Sequence, residues 1–335
     1  MNDLNRVLPG ALGAQLRIPV IASPLFIASS RELVAAQCRA GVIGSFPALN
    51  ARSTAELDEW LSELSELTQP GAGQAGDTDH AGTTVAPFAV NQIVHRSNLR
   101  LEADMEMIAK HRVPIVITSL GARPEINEAV HSYGGVVLHD VIHNTFARKA
   151  IEKGADGLIA VAAGAGGHAG AQSPFALVRE IREWFDGPLV LSGAIAHGAS
   201  LLGAIAAGAD FGYVGSAFLG ASEANTSQPQ REVLLESGAE DIVYTNFFTG
   251  VHGNYLRGSI IRAGIDPDAL ETADPSKMDF GKAGSDTKAW RDIWGAGQGV
   301  GSITEITSAG AIVDRLSREY DSAASRMTEL LRSRR

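Results

Sequence analysis

The stretch that decides the fold is KGADGLIAV at positions 153–161. A helical pattern ends at a glycine, a short turn follows, and a run of apolar residues then predicts a strand that is buried on both faces. The same order recurs in AGADFGYV at 207–214 and in RAGVIGSF at 39–46. Repeated short connections of this kind are typical of chains in which helices and parallel strands alternate.

Eight apolar runs can be traced outward from this stretch. They lie at 18–22, 42–46, 85–90, 115–118, 135–139, 157–161, 188–192 and 211–214. Helical patterns follow near 30–39, 54–67, 99–111, from Pro124 onward, and near 145–153, 175–185 and 200–207. Units of about 25 residues with continuous apolar strands predict the α/β class and a closed parallel (β/α)8 barrel, the TIM barrel.

An open doubly wound sheet is the main structural alternative. It usually carries a glycine-rich phosphate turn directly after its first strand. Here that position reads Ala22-Ser23-Pro24-Leu25, which is not such a turn.

The chain divides into three parts. Residues 1–220 are predicted to form the barrel core. Residues 221–304 lose the periodicity and are predicted as a helical and looped insertion, or lid, over the barrel top. Residues 305–335 are predicted as a C-terminal helix that packs on the barrel. The glycine-rich stretch at 71–84 has no periodicity and is predicted as a flexible loop.

Composition limits the partners and the compartment. The 335 residues carry 28 Lys and Arg against 38 Asp and Glu, a formal charge of −10, which argues against nucleic-acid binding. The single cysteine, Cys38, allows no intrachain disulfide and fits a reducing, cytoplasmic setting. The first ten residues lack the apolar run of a signal peptide. The uncharged stretch at 187–209 contains many glycines and predicts barrel interior rather than a membrane span.

Two glycine turns point to an anion site. Gly193 follows the seventh predicted strand, and Gly215-Ser216 follows the eighth. Loops at these places in such barrels commonly bind phosphate through backbone N–H groups, and Ser216 adds a hydroxyl donor. The plainer alternative is a pair of tight turns without a ligand.

A histidine stands inside the glycine-rich loop at 164–170, after the sixth predicted strand. Small neighbours leave the side chain of His168 able to reach into a cavity, and imidazole suits proton transfer or anion binding near neutral pH. A loop histidine held by backbone hydrogen bonds is the alternative.

With these pieces in place, the chain resembles the nitronate monooxygenase (2-nitropropane dioxygenase-like) family of FMN-dependent barrel enzymes. The resemblance runs from about Ile18 to Ser216, and less closely to Gly299. It rests on the order and spacing of short segments at 22–24, 88–91, 166–170, 192–195, 214–216 and 294–299.

The resemblance implies an FMN site with His168 as the active-site histidine. The implied cofactor-binding positions are Ala22, Ser23, Asn91, Val161, Gly166, Gly167, Ser192, Gly193, Ala194, Tyr213, Val214, Gly215 and Ser216. Many members carry Gln where this chain has Val161 and Tyr213, and a Glu where it has Gly164. These departures concern the substrate more than the flavin.

The implied reaction converts an alkyl nitronate and dioxygen into a carbonyl compound and nitrite. His168 either removes the α-proton of a nitroalkane or, as imidazolium, holds the anionic nitro group. The implied partners are a small-molecule substrate and dioxygen, with no nucleic acid and no membrane, and the chain is a monomer or a homodimer.

Other histidines have weaker claims. His139, His95 and His252 are candidates for the substrate side of the site. His139, Asp140, His143 and His168 could suggest a metal, but no Glu or Cys converges with them, so no metal is predicted.

Two other functions stay open. One keeps the flavin but uses NAD(P)H to reduce quinones or enoyl thioesters. The other is a flavin-free phosphate-binding barrel that acts as an isomerase or lyase, since a fold alone does not fix the reaction.

Overall fold

The computed structural model describes residues 8–68, 84–273 and 292–334. The predicted loop at 71–84 therefore lies outside the described residues, apart from its last position. None of the described helices is both long enough and apolar enough to span a bilayer.

Eleven strands occur among the described residues, and four of them, β1, β6, β8 and β9, end at the last residue of a predicted apolar run. Their bounds are β1 (Val20–Ala22), β2 (Gly44–Pro47), β3 (Phe88–Ile93), β4 (Ile115–Ser119), β5 (Val136–Val141), β6 (Gly157–Val161), β7 (Gly167–His168), β8 (Leu189–Ser192), β9 (Phe211–Val214), β10 (Ile242–Thr245) and β11 (Gly253–Leu256).

The helices follow the strands as predicted. Their bounds are α1 (Arg31–Arg39), α2 (Thr54–Thr68), α3 (Leu101–Lys110), α4 (Pro124–His131), α5 (Asn144–Glu152), α6 (Pro174–Arg182), α7 (Gly198–Ala207), α8 (Ser216–Leu219), α9 (Gln228–Glu236), α10 (Arg257–Arg262) and α11 (Ala309–Arg332).

Eight parallel strands close into the predicted barrel. Their order around the sheet is β1-β9-β8-β6-β5-β4-β3-β2. The two ends of this sheet meet at a parallel bridge between Ile21 and Ile43, where the N–H of Ala22 donates to the carbonyl of Ile43 at 2.8 Å. The (β/α)8 fold is confirmed, and the open sheet is excluded.

The interior of the barrel is apolar where the strands begin and polar where they end. Ile21, Ile117, Leu138, Ile159 and Val190 form the inner core. A 3-10 turn at Gly10–Gly13 adds Leu12 to this core, next to β5. The opening for a ligand therefore lies at the other end, where the strands finish, as is usual in barrels of this type.

The insertion contains strands that the sequence did not predict. β10 and β11 form an antiparallel pair, and β11 also pairs with β7, which lies inside the loop after β6. A strand of two residues, or a hairpin without a clear alternation of apolar and polar residues, gives no periodic signal. The prediction of a purely helical and looped insertion is therefore incomplete.

The terminal helix α11 packs on α7 and α1 through its first half. Leu316 is fully buried there, whereas Leu330 is 47% exposed near the other end.

We expect Leu316→Ala to lower the free energy of unfolding by about 2–5 kcal/mol, because it leaves a cavity in a packed interface. Urea unfolding measures this. Leu330→Ala is the matched control and should change the same quantity by less than about 1 kcal/mol; equal losses would contradict the packing.

Candidate active site

A cavity of about 1280 Å³ opens at the ends of the barrel strands. It exceeds the roughly 300–1,000 Å³ of common small-molecule sites, so it has room for a cofactor and a substrate together. The barrel loops form its floor and one wall, and α9, β11, α10 and residues 292–299 form the other wall.

Most of the predicted site residues meet at this cavity. The residues that line it are Ser23, Asn91, Val161, Gly166, Gly167, Ser192, Gly193, Ala194, Tyr213, Gly215 and Ser216, together with the histidines His139, His168 and His252.

Three predicted residues lie elsewhere. Ala22 and Val214 are buried between the strands and the surrounding helices, because neighbours on a strand point to opposite faces and Ile21 and Tyr213 take the inward positions. His95 lies in a turn beyond β3, where its Nδ1 is 2.9 Å from the hydroxyl of Ser97. The structure does not bring these three side chains to the cavity.

The insertion holds the loop that carries His168. His168 pairs with Gly253 of β11, and Gly167 pairs with Asn254. The amide of Asn254 donates to the carbonyl of Ala165 at 2.6 Å, and the hydroxyl of Tyr244 donates to the carbonyl of Ala169 at 3.1 Å. A loop rich in glycine is thereby fixed from outside the barrel.

His168 is hydrogen-bonded to the insertion. Its Nε2 lies 3.2 Å from the hydroxyl oxygen of Thr249, which itself donates to the carbonyl of Val251 at 3.0 Å. Burial lowers the pKa of His168 to about 4, so the imidazole is neutral at pH 7.

The segment at 296–299 joins the glycine loop to the anion turns. The N–H of Gly297 donates to the hydroxyl oxygen of Ser216 at 2.8 Å, and the N–H of Gln298 donates to the carbonyl of Gly164 at 2.9 Å. A Cβ on Gly297 would lie 2.5 Å from the carbonyl oxygen of Gly164. Only glycine allows this approach.

Backbone amides at two strand ends remain available for an anion. Within the described ranges, the N–H groups of Gly193 and Gly215 have no hydrogen-bond acceptor. Because the oxygen of Ser216 accepts from Gly297, its hydrogen is left to donate. Gly193 has a φ of +146°, which only glycine adopts easily.

Three non-glycine residues with positive φ line the cavity. They are Ile27 (66°), Leu120 (59°) and Ala194 (54°). Isoleucine in particular avoids this region, so the surrounding structure must impose the strain. The side chain of Asn50 accepts from the N–H of Ile27 at 3.0 Å and donates to the carbonyls of Leu25 and Ser29. Strained backbone of this kind gathers at ligand sites.

Sequence reasoning gave several residues near this cavity no role in the site. Thr249 and Tyr255 belong to the insertion, whose pattern gives no sign of where it folds back. Ser119 and Asp140 directly follow the predicted fourth and fifth apolar runs, at 115–118 and 135–139. Their position at strand ends was the available signal, since functional residues of barrels concentrate there.

The chain is similar to known proteins over nearly all of its length. A family model described as nitronate monooxygenase matches residues 12–319. A nitronate monooxygenase of Neurospora crassa is 27% identical over 343 residues, which cover 90% of this chain and 88% of that protein.

Two solved structures have the same fold. Nitroalkane oxidase from Streptomyces ansochromogenes has a TM-score of 0.75 at 22% identity and covers 94% of this chain and 99% of that one. FabK from Thermotoga maritima has a TM-score of 0.75 at 22% identity and covers 96% of this chain and 97% of that one. At such identity the likeness shows the fold.

Proposed function

This chain belongs to the nitronate monooxygenase family, and on that premise we propose that it oxidises alkyl nitronates through FMN and His168. The products are a carbonyl compound and nitrite, and dioxygen is the oxidant. The observation that carries the proposal is the buried imidazole of His168, held by Thr249 at a cavity that also presents unused backbone amides.

The residues of the cavity fit FMN. The N–H groups of Gly193 and Gly215, with the hydroxyl of Ser216, would hold the phosphate, because glycine turns let the backbone approach an anion closely. Ser23 and Asn91, on the inner face of the barrel, would lie along the ring system. Bound FMN supplies the one-electron chemistry that the side chains lack.

His168 is proposed to hold the nitronate by taking a proton on its imidazole ring. An anion about 4 Å from an imidazolium contributes about 4 kcal/mol at an effective dielectric near 20. That energy raises a pKa by about 3. The pKa of His168, about 4 without the anion, would then lie near 7 in the complex.

This linkage predicts a pH dependence. His168 is deprotonated above about pH 5 in the free protein and protonated up to about pH 7 in the complex, so binding takes up a proton. The kcat/KM for a preformed nitronate should therefore fall as pH rises, by up to about tenfold per pH unit in this window. Rapid mixing of nitronate into buffers from pH 5 to 8 measures it. A flat profile, or one that rises, would contradict the role of His168.

A visible spectrum tests the proposed function first. The purified protein should carry flavin absorbance, which the nitronate of 2-nitropropane should bleach under anaerobic conditions, with nitrite formed once air is admitted. Bleaching by NADH or NADPH without a response to nitronate would replace the proposal with a reductase. Absence of flavin absorbance, even after reconstitution with FMN, would leave the phosphate-binding barrel.

A further inference from the structure

The cavity also reaches the turn after β4 and one side of helix α5. We call this part the lysine arm, and its lining residues are Leu120, Ala122, Ile142, Phe146, Lys149, Ala150 and Lys153. In the strand order the arm lies at β4 and β5, and β6 separates it from the glycine turns after β8 and β9. The proposed phosphate site and the lysine arm therefore occupy different sides of the cavity.

One face of α5 supplies most of the lysine arm. Residues spaced i, i+3, i+4 and i+7 share one side of a helix. The four residues with this spacing along α5 and its C-cap all line the cavity, and they are Phe146, Lys149, Ala150 and Lys153. The helix rises about 10 Å over this stretch. The arm thus presents an aromatic side chain near its start and two ammonium groups farther along.

The start of the arm adjoins the loop that carries His168. A Cβ on Gly170 would lie 3.0 Å from the carbonyl oxygen of Ile142, so the loop and the end of β5 touch there. Gly170 is two residues from His168, at most about 7 Å along the chain. Ile142 and Phe146 are 37% and 46% exposed, although both are large and apolar. A substrate held at His168 can therefore extend an apolar chain over these two side chains.

The ammonium group of Lys153 acts on the inside of the site. Its Nζ donates to the carbonyl of Ala122 at 2.7 Å, across the arm. Burial lowers the pKa of His139 to about 4, and repulsion from the charge of Lys153 adds to this effect. His139 lines the same cavity. An ammonium group carries three hydrogens, of which the Ala122 contact uses one, so Lys153 can also donate to a ligand.

Neither lysine forms an ion pair with a described carboxylate. Lys149 makes no hydrogen bond or ion pair among the described residues. Glu125, at the start of α4, pairs with Arg123 at 2.7 Å instead. The chain as a whole carries a formal charge of −10, so two cations without acidic partners stand out against its general field. Their place beside a cavity favours an anionic ligand.

We propose that the lysine arm binds the far end of the substrate, so that this chain prefers nitronates whose apolar chain ends in a carboxylate or a phosphate. The nitronate carbon stays at His168, the apolar chain passes Ile142 and Phe146, and the terminal anion meets Lys149 and Lys153. The inference rests on the proposed function, because it names the substrates of the same cavity. No bond forms or breaks in the arm, which contributes affinity and selection.

Matched substrates with and without the terminal anion test this selection. The kcat/KM is measured at pH 7 with the preformed nitronates of 8-nitrooctanoate, 8-nitrooctyl phosphate and 1-nitrooctane. We expect the wild type to favour at least one anionic substrate over 1-nitrooctane by about 10-fold or more. Lys149→Gln and Lys153→Gln should each lower this ratio by about 5-fold or more, the effect of one ion pair in a wet site. Arg148→Gln, which removes an α5 cation 4.3 Å over the ring of Trp184, should keep the wild-type ratio.

A binding measurement separates the arm from the reaction. Decanoate and decyl phosphate carry the apolar chain and the anion but no nitro group, so calorimetric titration of the purified protein follows the arm alone. We expect the anion that the wild type selects to bind, and each lysine variant to weaken this binding by about 5-fold or more. A wild type without preference for either anion, or lysine variants with unchanged affinity, would overturn the inference. If binding depends on both lysines but no nitronate is oxidised, the proposed function fails and the anion site stands.

Discussion

Replacing His168 with Asn should lower kcat/KM for the nitronate of 2-nitropropane by about 10²–10⁴ while the flavin stays bound. The variant loses the imidazole that the Thr249 contact holds at the cavity. The favourable contact between imidazolium and nitronate, about 4 kcal/mol, corresponds to roughly a thousandfold in rate. Steady-state oxygen uptake and nitrite formation measure the loss, and the ratio of flavin to protein absorbance measures the bound cofactor.

A control variant and a pH profile test this expectation further. His131→Asn changes a surface imidazole that pairs with Asp156, just before β6 and away from the cavity. This variant should keep wild-type kcat/KM. The pH dependence offers a second check, since a variant without an imidazole at 168 should lose the part of the fall in kcat/KM that protonation of His168 causes. A His168→Asn protein with full turnover would remove His168 from the mechanism.

Much of the fold follows from the sequence because its signals are local. The continuous apolar strands, the glycine that ends α1 and the proline that begins α4 each act within a few residues. The third strand lies at Phe88–Ile93 rather than at 85–90. It continues past the apolar run, because the polar side chains of Asn91 and Gln92 are also buried. Polar residues at a strand end hide the boundary when a site needs them there.

The sequence predicts which residues meet at the site but not the contacts that hold them in place. The glycine turns and His168 stand at strand ends, so the barrel topology alone brings them together. Their fixation depends on β11 and on residues 294–299, which return from far along the chain. Contacts such as His168 to Thr249, 81 residues apart, leave no periodic mark in a sequence.

Gly193→Ala should weaken FMN binding by about 10- to 100-fold. A φ of +146° belongs to a region that is essentially limited to glycine and costs other residues about 1–3 kcal/mol. A Cβ would also lie 2.8 Å from the carbonyl oxygen of Ala163, which is backbone and cannot move aside cheaply. Relief of this strain would turn the N–H of Gly193 away from the anion. Flavin released by dialysis and fluorescence titration with FMN measure the affinity.

A neighbouring glycine provides the matched control for this variant. Gly203 lies in α7, directly after the same loop, and a Cβ there would meet nothing within 4 Å. Gly203→Ala should keep FMN affinity and, because alanine favours a helix over glycine by about 0.5–1 kcal/mol, should not lower the free energy of unfolding. Tight FMN binding by Gly193→Ala would show that the turn after β8 does not hold the phosphate. Loss of binding in Gly193→Ala alone would assign the phosphate to this turn, since the two substitutions add the same methyl group and differ only in the backbone they constrain.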